Sequence, residues 1–427
     1  MAAGPANLTQ LIKIPGRKPG RAACAGSRGR VLIIAYTDYI FDARVKRHAE
    51  ALTQHGYSVD VICLADQRAP QRPVNVIGIS VPRYRGHSQV EYIRQYLRFF
   101  AKSIYTAAKL NRKHHYDVVI VCSMPDAAVV TGLIPKLSGS KLVLDIHDTM
   151  PELYREKFPG SSGAIGAAAL RIEERVSARI ADVVFAVHDL HAARLQASGI
   201  APNKIVVILN TPDPRLFQPL TRSEQGNVDD FTVVTHGTIN RRLGLDTAVE
   251  AVRLVRDQIP DMKFRVIGPG EHRESVRHHV QRLDLNDIVQ FEDGVPLEAL
   301  ADALRGAAVG LVPNEATAAT ELMLPVKLLE YVSLGIPVIA SRLRTIRHYF
   351  TEDCLRYFEP ANAESLAESL MDLYRHPEKR RRFGRRASEA AEGLSWHTQR
   401  HILCKTIELL VAGEPTHSMA ESLRPIA

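Results

Sequence analysis

The feature that most limits how this chain can fold is a repeated alternation. Short, almost uninterrupted Val/Ile/Leu runs are separated by amphipathic stretches of helical period. The first runs are RVLIIAY (30–36), YSVDVICL (57–64), YDVVIVCS (116–123), SKLVLDIHD (140–148), ADVVFAVH (181–188) and NKIVVILN (203–210). Strands that are apolar on both faces must be covered on both faces, which is the condition of a parallel sheet flanked by helices. Between the first two runs, DARVKRHAEALTQHG (42–56) lines up Val45, Ala49 and Leu52 on one face and stops at Gly56.

The alternation breaks at QPLTRSEQGNVDD (218–230), which is polar and ends in acids. It restarts with FTVVTHGT (231–238), a helix through 245–257, KFRVIGPG (263–270), a helix over 271–283, IVQFEDGV (288–295), a helix at 297–305, VGLVPNE (309–315), a helix opening near Pro325, and PVIAS (337–341). The fold class expected is α/β, with two Rossmann-like parallel-sheet domains facing a central cleft. The boundaries are a disordered basic tail (1–29), a first domain (30–217), a linker (218–230), a second domain (231–395), and a closing helix with a tail (396–427) that returns toward the first domain. A length of 427 residues suits two such domains.

The formal net charge is +8, but Lys13, Arg17, Lys18, Arg21, Arg28 and Arg30 supply six of it without a single acid before residue 31. The remaining body is close to neutral, so no nucleic-acid partner is expected. The five cysteines are scattered and lack C-x-x-C spacing, which argues against a disulfide framework or a zinc site and fits a reducing compartment. No apolar run approaches 20 residues, and the start has no secretory h-region. The expected location is cytoplasmic, with the inner face of the membrane open. QYLRFFAKSIYTAAKLNRKHH (95–115) bears on that point: it mixes aromatics with cations, and reads either as a membrane-surface helix or as a sheet-covering helix with snorkelling cations. The Gly/Ala/Ser stretch GSSGAIGAAA (160–169) reads as a mobile flap or a helix entry.

Ligands of open parallel sheets bind outside the carboxyl ends of the strands, and the polar residues gather there. His147, with Asp145, Asp148 and Glu152 about it, follows the fourth run. Asp38, Tyr39 and Asp42 follow the first, Asp42 serving either to cap the next helix or to meet a ligand. No G-x-G-x-x-G accompanies that first strand, which disfavours a dinucleotide oxidoreductase. In the second half, Gly237 and Thr238 with Arg241 and Arg242 suit a phosphate, since glycine permits close backbone approach and guanidinium forks match oxyanions. Gly268, and Val295 in its turn, extend the same set. The stretch LMLPVKLLEYVSLGIPVIAS (322–341) opens a helix at Pro325, where amides and dipole favour an anion. Lys327 adds a charge in the first turn. Glu330, about 4.5 Å further along the axis, is spaced to take the hydroxyls of a ribose attached to a diphosphate. The competing reading is an i,i+3 surface ion pair worth a few tenths of a kcal/mol.

Taken in order, DARVKRHAEALTQHGYSVDVI, YDVVIVCSMPDAAVVTGLIPKLSGSKLVLDIHDTMPELY, ERVSARIADVVFAV, NKIVVILNTPDPRLF, THGTINRRLGLDTAVEAV, FRVIGPG and PVKLLEYVSLGIPVIAS resemble the retaining glycosyltransferase family 4 of the GT-B fold. The resemblance runs from Arg30 to about Trp396. It implies a nucleotide-diphosphate sugar as donor, held by the second domain, and a glycan or lipid-linked acceptor met by the first domain around Asp38, Tyr39 and Asp42. Glu330 then matches the ribose-binding glutamate, Arg242 (with Arg241) and Lys327 the basic pair on the diphosphate, Val295 a neighbour of the base, and His147 a histidine beside the transferred sugar. Gly237, Thr238, Gly268 and Glu321 complete the donor side. Where the family has its first E-x7-E glutamate this chain has Leu322, with Glu321 out of phase, so the motif reads P-x-K-x-x-E. No D-x-D occurs, so neither a metal nor another cofactor is expected. The resemblance implies retention of configuration. A sugar-nucleotide epimerase or hydrolase on this fold, or a non-catalytic binding protein, are the alternatives.

Overall fold

The structure, a computed structural model, describes residues 27–65, 73–81, 89–123, 125–220 and 231–414. Residues 1–26, 221–230 and 415–427, which hold most of the expected basic tail, most of the linker and the end of the chain, lie outside the described residues.

The first sheet has strands β1 (Arg30–Ile34), β2 (Ser58–Leu64), β3 (Asn75–Ile79), β4 (Val118–Cys122), β5 (Lys141–Ile146), β6 (Val183–Ala186) and β7 (Ile205–Val207), in the order β3-β2-β1-β4-β5-β6-β7. Every pairing is parallel. Its helices are α1 (Ala43–Gln54), α2 (Gln89–His114), α3 (Leu133–Leu137), α4 (Met150–Lys157), α5 (Ser161–Ile180) and α6 (Asp189–Ala197). The continuous apolar runs follow from burial on both sides. Val31, Ile33, Val118 and Ile120 belong to one core cluster; Leu32, Ile34, Val119 and Val121, their alternating neighbours, belong to another. GSSGAIGAAA is the entry of α5, beginning at Ser161, and not a flap. In α2, Phe99, Phe100 and Ala107 are buried against the sheet while Ile93, Leu97 and Tyr105 are exposed among Arg94, Arg98 and Lys109.

The second sheet has β8 (Thr232–His236), β9 (Lys263–Ile267), β10 (Val289–Glu292), β11 (Val309–Val312), β12 (Val338–Ser341) and β13 (Arg356–Phe358), in the order β10-β9-β8-β11-β12-β13, again parallel. Around it stand α7 (Leu245–Val255), α8 (Arg273–Arg282), α9 (Leu297–Leu304), α10 (Val326–Ser333), α11 (Arg344–Tyr349), α12 (Ala363–Arg375) and α13 (Pro377–Ala391). The last helix, α14 (Trp396–Ala412), leaves this domain and packs Leu403, Cys404 and Ile407 into the core beneath β1 and β2. Each fully buried leucine or isoleucine there contributes about 1.5–3 kcal/mol. The Gln399 side chain also accepts the Leu209 N–H at 2.9 Å. Among the described residues no helix is long and apolar enough to cross a membrane.

Candidate active site

The second domain builds a charged corner from the ends of β8 and β9 and the start of α10. Gly310 in β11 lets α10 sit low on the sheet: a Cβ there would stand 2.5 Å from the Tyr331 ring. The Tyr331 hydroxyl in turn lies 3.3 Å from the Val234 carbonyl. Pro325 is the residue before the helix, with extended ψ, and Val326 is its first helical residue. Lys327 follows in the first turn, its Nζ 3.4 Å from Thr235 Oγ1. Burial pushes the Lys327 ammonium down to about 8, with Glu330 opposing that shift.

Glu330 is buried, and its carboxylate lies 3.2 Å from His236 Nε2. The His236 ring meets Tyr331 edge-on at 5.2 Å. Among the described residues Lys327 and Glu330 form no ion pair, so the surface i,i+3 pairing is not how these charges are used. Two glycines bring the loops together. Gly237 has φ +107°, and a Cβ on Gly268, itself at φ +131°, would stand 2.3 Å from the Gly237 carbonyl oxygen. Gly294 packs on Pro269, which sets the loop bearing the part-exposed Val295 beside the Gly268 turn.

Thr238 is exposed on the same corner, and Arg241 and Arg242 form a 3-10 turn closed by Gly244. Arg242 Nη1 reaches across the cleft to within 3.9 Å of Glu156 Oε1 on α4. Glu156 also accepts the Thr317 hydroxyl at 2.7 Å. Glu321 does not join this corner. Its carboxylate accepts the Arg344 N–H at 2.6 Å, on a different recess from the one that Leu322 lines.

The first domain contributes a buried charged group. Asp145, in β5, is fully buried and accepts from Arg44 through both oxygens, at 2.8 and 3.1 Å. Arg44 also donates to the Ile208 carbonyl at 2.9 Å. His147, at the strand end, holds its Nε2 3.1 Å from Asp145 Oδ2, and His48 Nδ1 lies 3.6 Å from the same oxygen. Burial alone would raise the Asp145 carboxyl; Arg44 and His147 outweigh it and hold the group well below the usual carboxylate range. Burial opposes protonation of His147, and the Asp145 charge overcomes it, so the imidazole is raised.

Cys122, Asp145 and His147 offer ligand atoms within 4.8 Å of one another. The donor set does not suit a cation, because both Asp145 oxygens already serve Arg44 and the buried Cys122 thiol is pushed up.

The two halves enclose a cleft of about 430 Å³, within the range of small-ligand sites. Thr37, Phe41, Asp42, Arg44, His147, Asp148, His188 and Asn210 line it from one side, and Leu322 to Val326 from the other. Asp42 caps α1, accepting the Val45 N–H at 3.0 Å, and also lines the cleft. Tyr39 corrects an expectation: it is 1% exposed in the core under β1 and cannot face an acceptor. Phe41, 69% exposed, occupies the cleft wall instead. Asp38 begins the 3-10 turn and is not among the cleft-lining residues. Sequence reading also missed His188, whose Nε2 lies 2.9 Å from the Leu322 carbonyl across the domains. It missed the role of Arg44 as well; the buried Asp145 in an otherwise apolar strand was the available signal.

Comparison with known proteins agrees with this architecture. Residues 42–211 match the model of the glycosyl transferase 4-like domain, and residues 218–390 match that of the glycosyl transferases group 1. Together the matches span about four-fifths of the chain. A glycosyltransferase of Escherichia coli (strain K12) named for colanic acid biosynthesis is 27% identical over 45% of this chain; the alignment spans 47% of that relative, about half its length. A D-inositol 3-phosphate glycosyltransferase of Kribbella flavida is 24% identical over 81% of this chain and 84% of its own length. Among solved structures, sucrose-phosphate synthase from Thermosynechococcus elongatus superimposes with a TM-score of 0.75 at 19% identity, covering 91% of this chain and all of that one. Anabaena HepE in complex with UDP-glucose gives 0.67 at 17% identity, with 89% and 99% covered.

Proposed function

We propose that this chain, a glycosyltransferase of the GT-B fold and the GT4 type, moves a sugar from a nucleotide-diphosphate sugar in the second domain to a hydroxyl of a glycan or lipid-linked acceptor in the first. The observation that carries the reading is the arrangement at the start of α10: Lys327 under the β8 loop, and a buried Glu330 one turn on. A carboxylate held away from water beside one histidine is suited to accept two vicinal ribose hydroxyls. Lys327, Arg242 and the α10 amides then stand where a departing diphosphate gathers charge, and fixed positive groups at that point lower the barrier without a metal. Arg241, Gly237, Thr238 and Gly268 shape the approach of the phosphates, and Val295 flanks the base.

On the acceptor side, His147 is held through Nε2 by Asp145, so its other nitrogen is left to meet the transferred sugar. In the retaining course proposed here, the bond from the anomeric carbon to the diphosphate breaks while the acceptor oxygen approaches the same face. The departing phosphate oxygen takes the acceptor proton. A lipid-linked acceptor is supported by α2, whose exposed Ile93, Leu97 and Tyr105 stand among cations suited to an anionic membrane surface. The relatives' names, which speak of colanic acid biosynthesis and of D-inositol 3-phosphate, support a glycan or polyol hydroxyl as acceptor. Epimerase, hydrolase and binding-only readings are not favoured, since the relatives named above are transferases.

The test is thermal denaturation of the purified protein with UDP, GDP, ADP and their common sugar conjugates, with and without EDTA. One base should stabilise the protein by about 2.7 kcal/mol at 100 times its Kd, insensitively to EDTA. Stabilisation by none of them sinks the reading.

A further inference from the structure

A second recess, of about 360 Å³, is bordered by Glu321, the residue before the cleft-lining Leu322. Leu190 of the first domain borders it, with Glu321, Arg342, Arg344, Arg347 and His348 of the second. Glu321 and Leu190 line this recess, while Leu322 and His188, one and two residues away in the chain, line the cleft, so the two spaces are neighbours.

The charges in it are unevenly matched. Arg342 is satisfied by Glu359 at 2.8 Å and by Glu352. The Glu321 carboxylate is occupied by the Arg344 backbone N–H, and Asp189 takes the Tyr349 hydroxyl at 2.6 Å. His348 Nε2 is 3.9 Å from Asp189. The exposed guanidiniums of Arg344 and Arg347 form no ion pair among the described residues. They stand at i and i+3 of α11, on one face, where like charges repel. An oxyanion between them would relieve that repulsion and receive two planar forks.

We propose that this recess is an anion subsite for the acceptor, in which a phosphate or carboxylate group carried by the acceptor is held by Arg344 and Arg347 while the reacting hydroxyl lies in the adjoining cleft. The assignment rests on the transferase reading above. It adds that the acceptor is anionic and that α11, a second-domain element, takes part in selecting it.

The test is calorimetric titration of the full chain with glucose 1-phosphate, inorganic phosphate and the neutral methyl glucoside. Lys327→Met weakens the donor-side phosphate contact, so phosphate binding that persists in that variant and falls with the two arginines reports the recess. The Lys327→Met protein should bind glucose 1-phosphate more tightly than inorganic phosphate and leave methyl glucoside unbound. Adding Arg344→Ala and Arg347→Ala should weaken that binding about tenfold or more, and Arg347→Glu should weaken it further. Both arginines are exposed, so neither change threatens the fold. Absence of phosphate binding, or binding indifferent to the two arginines, overturns the proposal. Equal affinity for glucose 1-phosphate and inorganic phosphate makes the recess a free-anion site and overturns its assignment to the acceptor. Nucleotide binding that survives Lys327→Met would count against the donor reading, separately from the fate of the recess.

Discussion

Asp145 Oδ2 lies 3.1 Å from His147 Nε2, while both Asp145 oxygens also accept from Arg44. A carboxylate this deeply buried is costly unless fully paired, and its partners Arg44 and His147 both line the cleft, the imidazole being the one that can exchange a proton there. Asp145→Asn should therefore let the imidazole turn and lower kcat/KM on the order of 10- to 100-fold, moving the pH profile of kcat as well. A kcat profile of unchanged shape would reduce Asp145 to a structural role.

The same pair sets a stability effect. Asp145→Ala leaves Arg44 buried without its anion and should cost about 3–5 kcal/mol in urea unfolding. In the native chain the carboxyl is held below its unfolded value. Its contribution is therefore present above about pH 4 and is lost as pH falls through the lower folded value. Unfolding midpoints of wild type and variant should converge in acid.

Glu330→Gln keeps the side chain's size and removes its charge beside His236. Nucleoside diphosphate affinity should fall about 10- to 100-fold, read by titration with the base that stabilises wild type. Unchanged affinity would take Glu330 out of the donor site.

Lys327, held near 8 by burial, should regain its proton when a diphosphate arrives. Donor binding near pH 8 is then accompanied by proton uptake, and affinity declines as pH rises above 8. Calorimetry in buffers of different ionisation enthalpy measures the uptake, and Lys327→Met should abolish it.

Gly268→Ala places a methyl group 2.3 Å from the Gly237 oxygen at a φ that side chains rarely adopt. It should destabilise the protein by about 1–3 kcal/mol and weaken nucleotide binding in the same preparation.

The sheets were legible because β1, β4, β5 and β8 are covered on both faces and so carry short Val/Ile/Leu-rich runs with few polar interruptions. β3 was not. It is an edge strand, its NVIGI contains an asparagine and a glycine, and four of its five residues are only half-buried or exposed. β13, three residues long, is too short to display a period. Lys327 and Glu330 could be paired from sequence because one helix fixes their spacing. Tyr39 was misplaced because a 3-10 turn, Tyr39–Phe41, exchanges which of two neighbouring aromatics faces inward. Arg44 and His188 depend on partners 101 and 134 residues away, and no local pattern carries such distances.

The polypeptide passes between the two domains twice, once between β7 and β8 and again between α13 and α14. Two halves joined by a single strand can swivel about many axes; two halves joined at two places resemble a door on a pair of pins. The α14 anchorage thus leaves rocking about one line as the easy motion. A rotation about that line would part the contacts from His188 to Leu322 and from Glu156 to Thr317 together, opening the mouth as a unit rather than wall by wall.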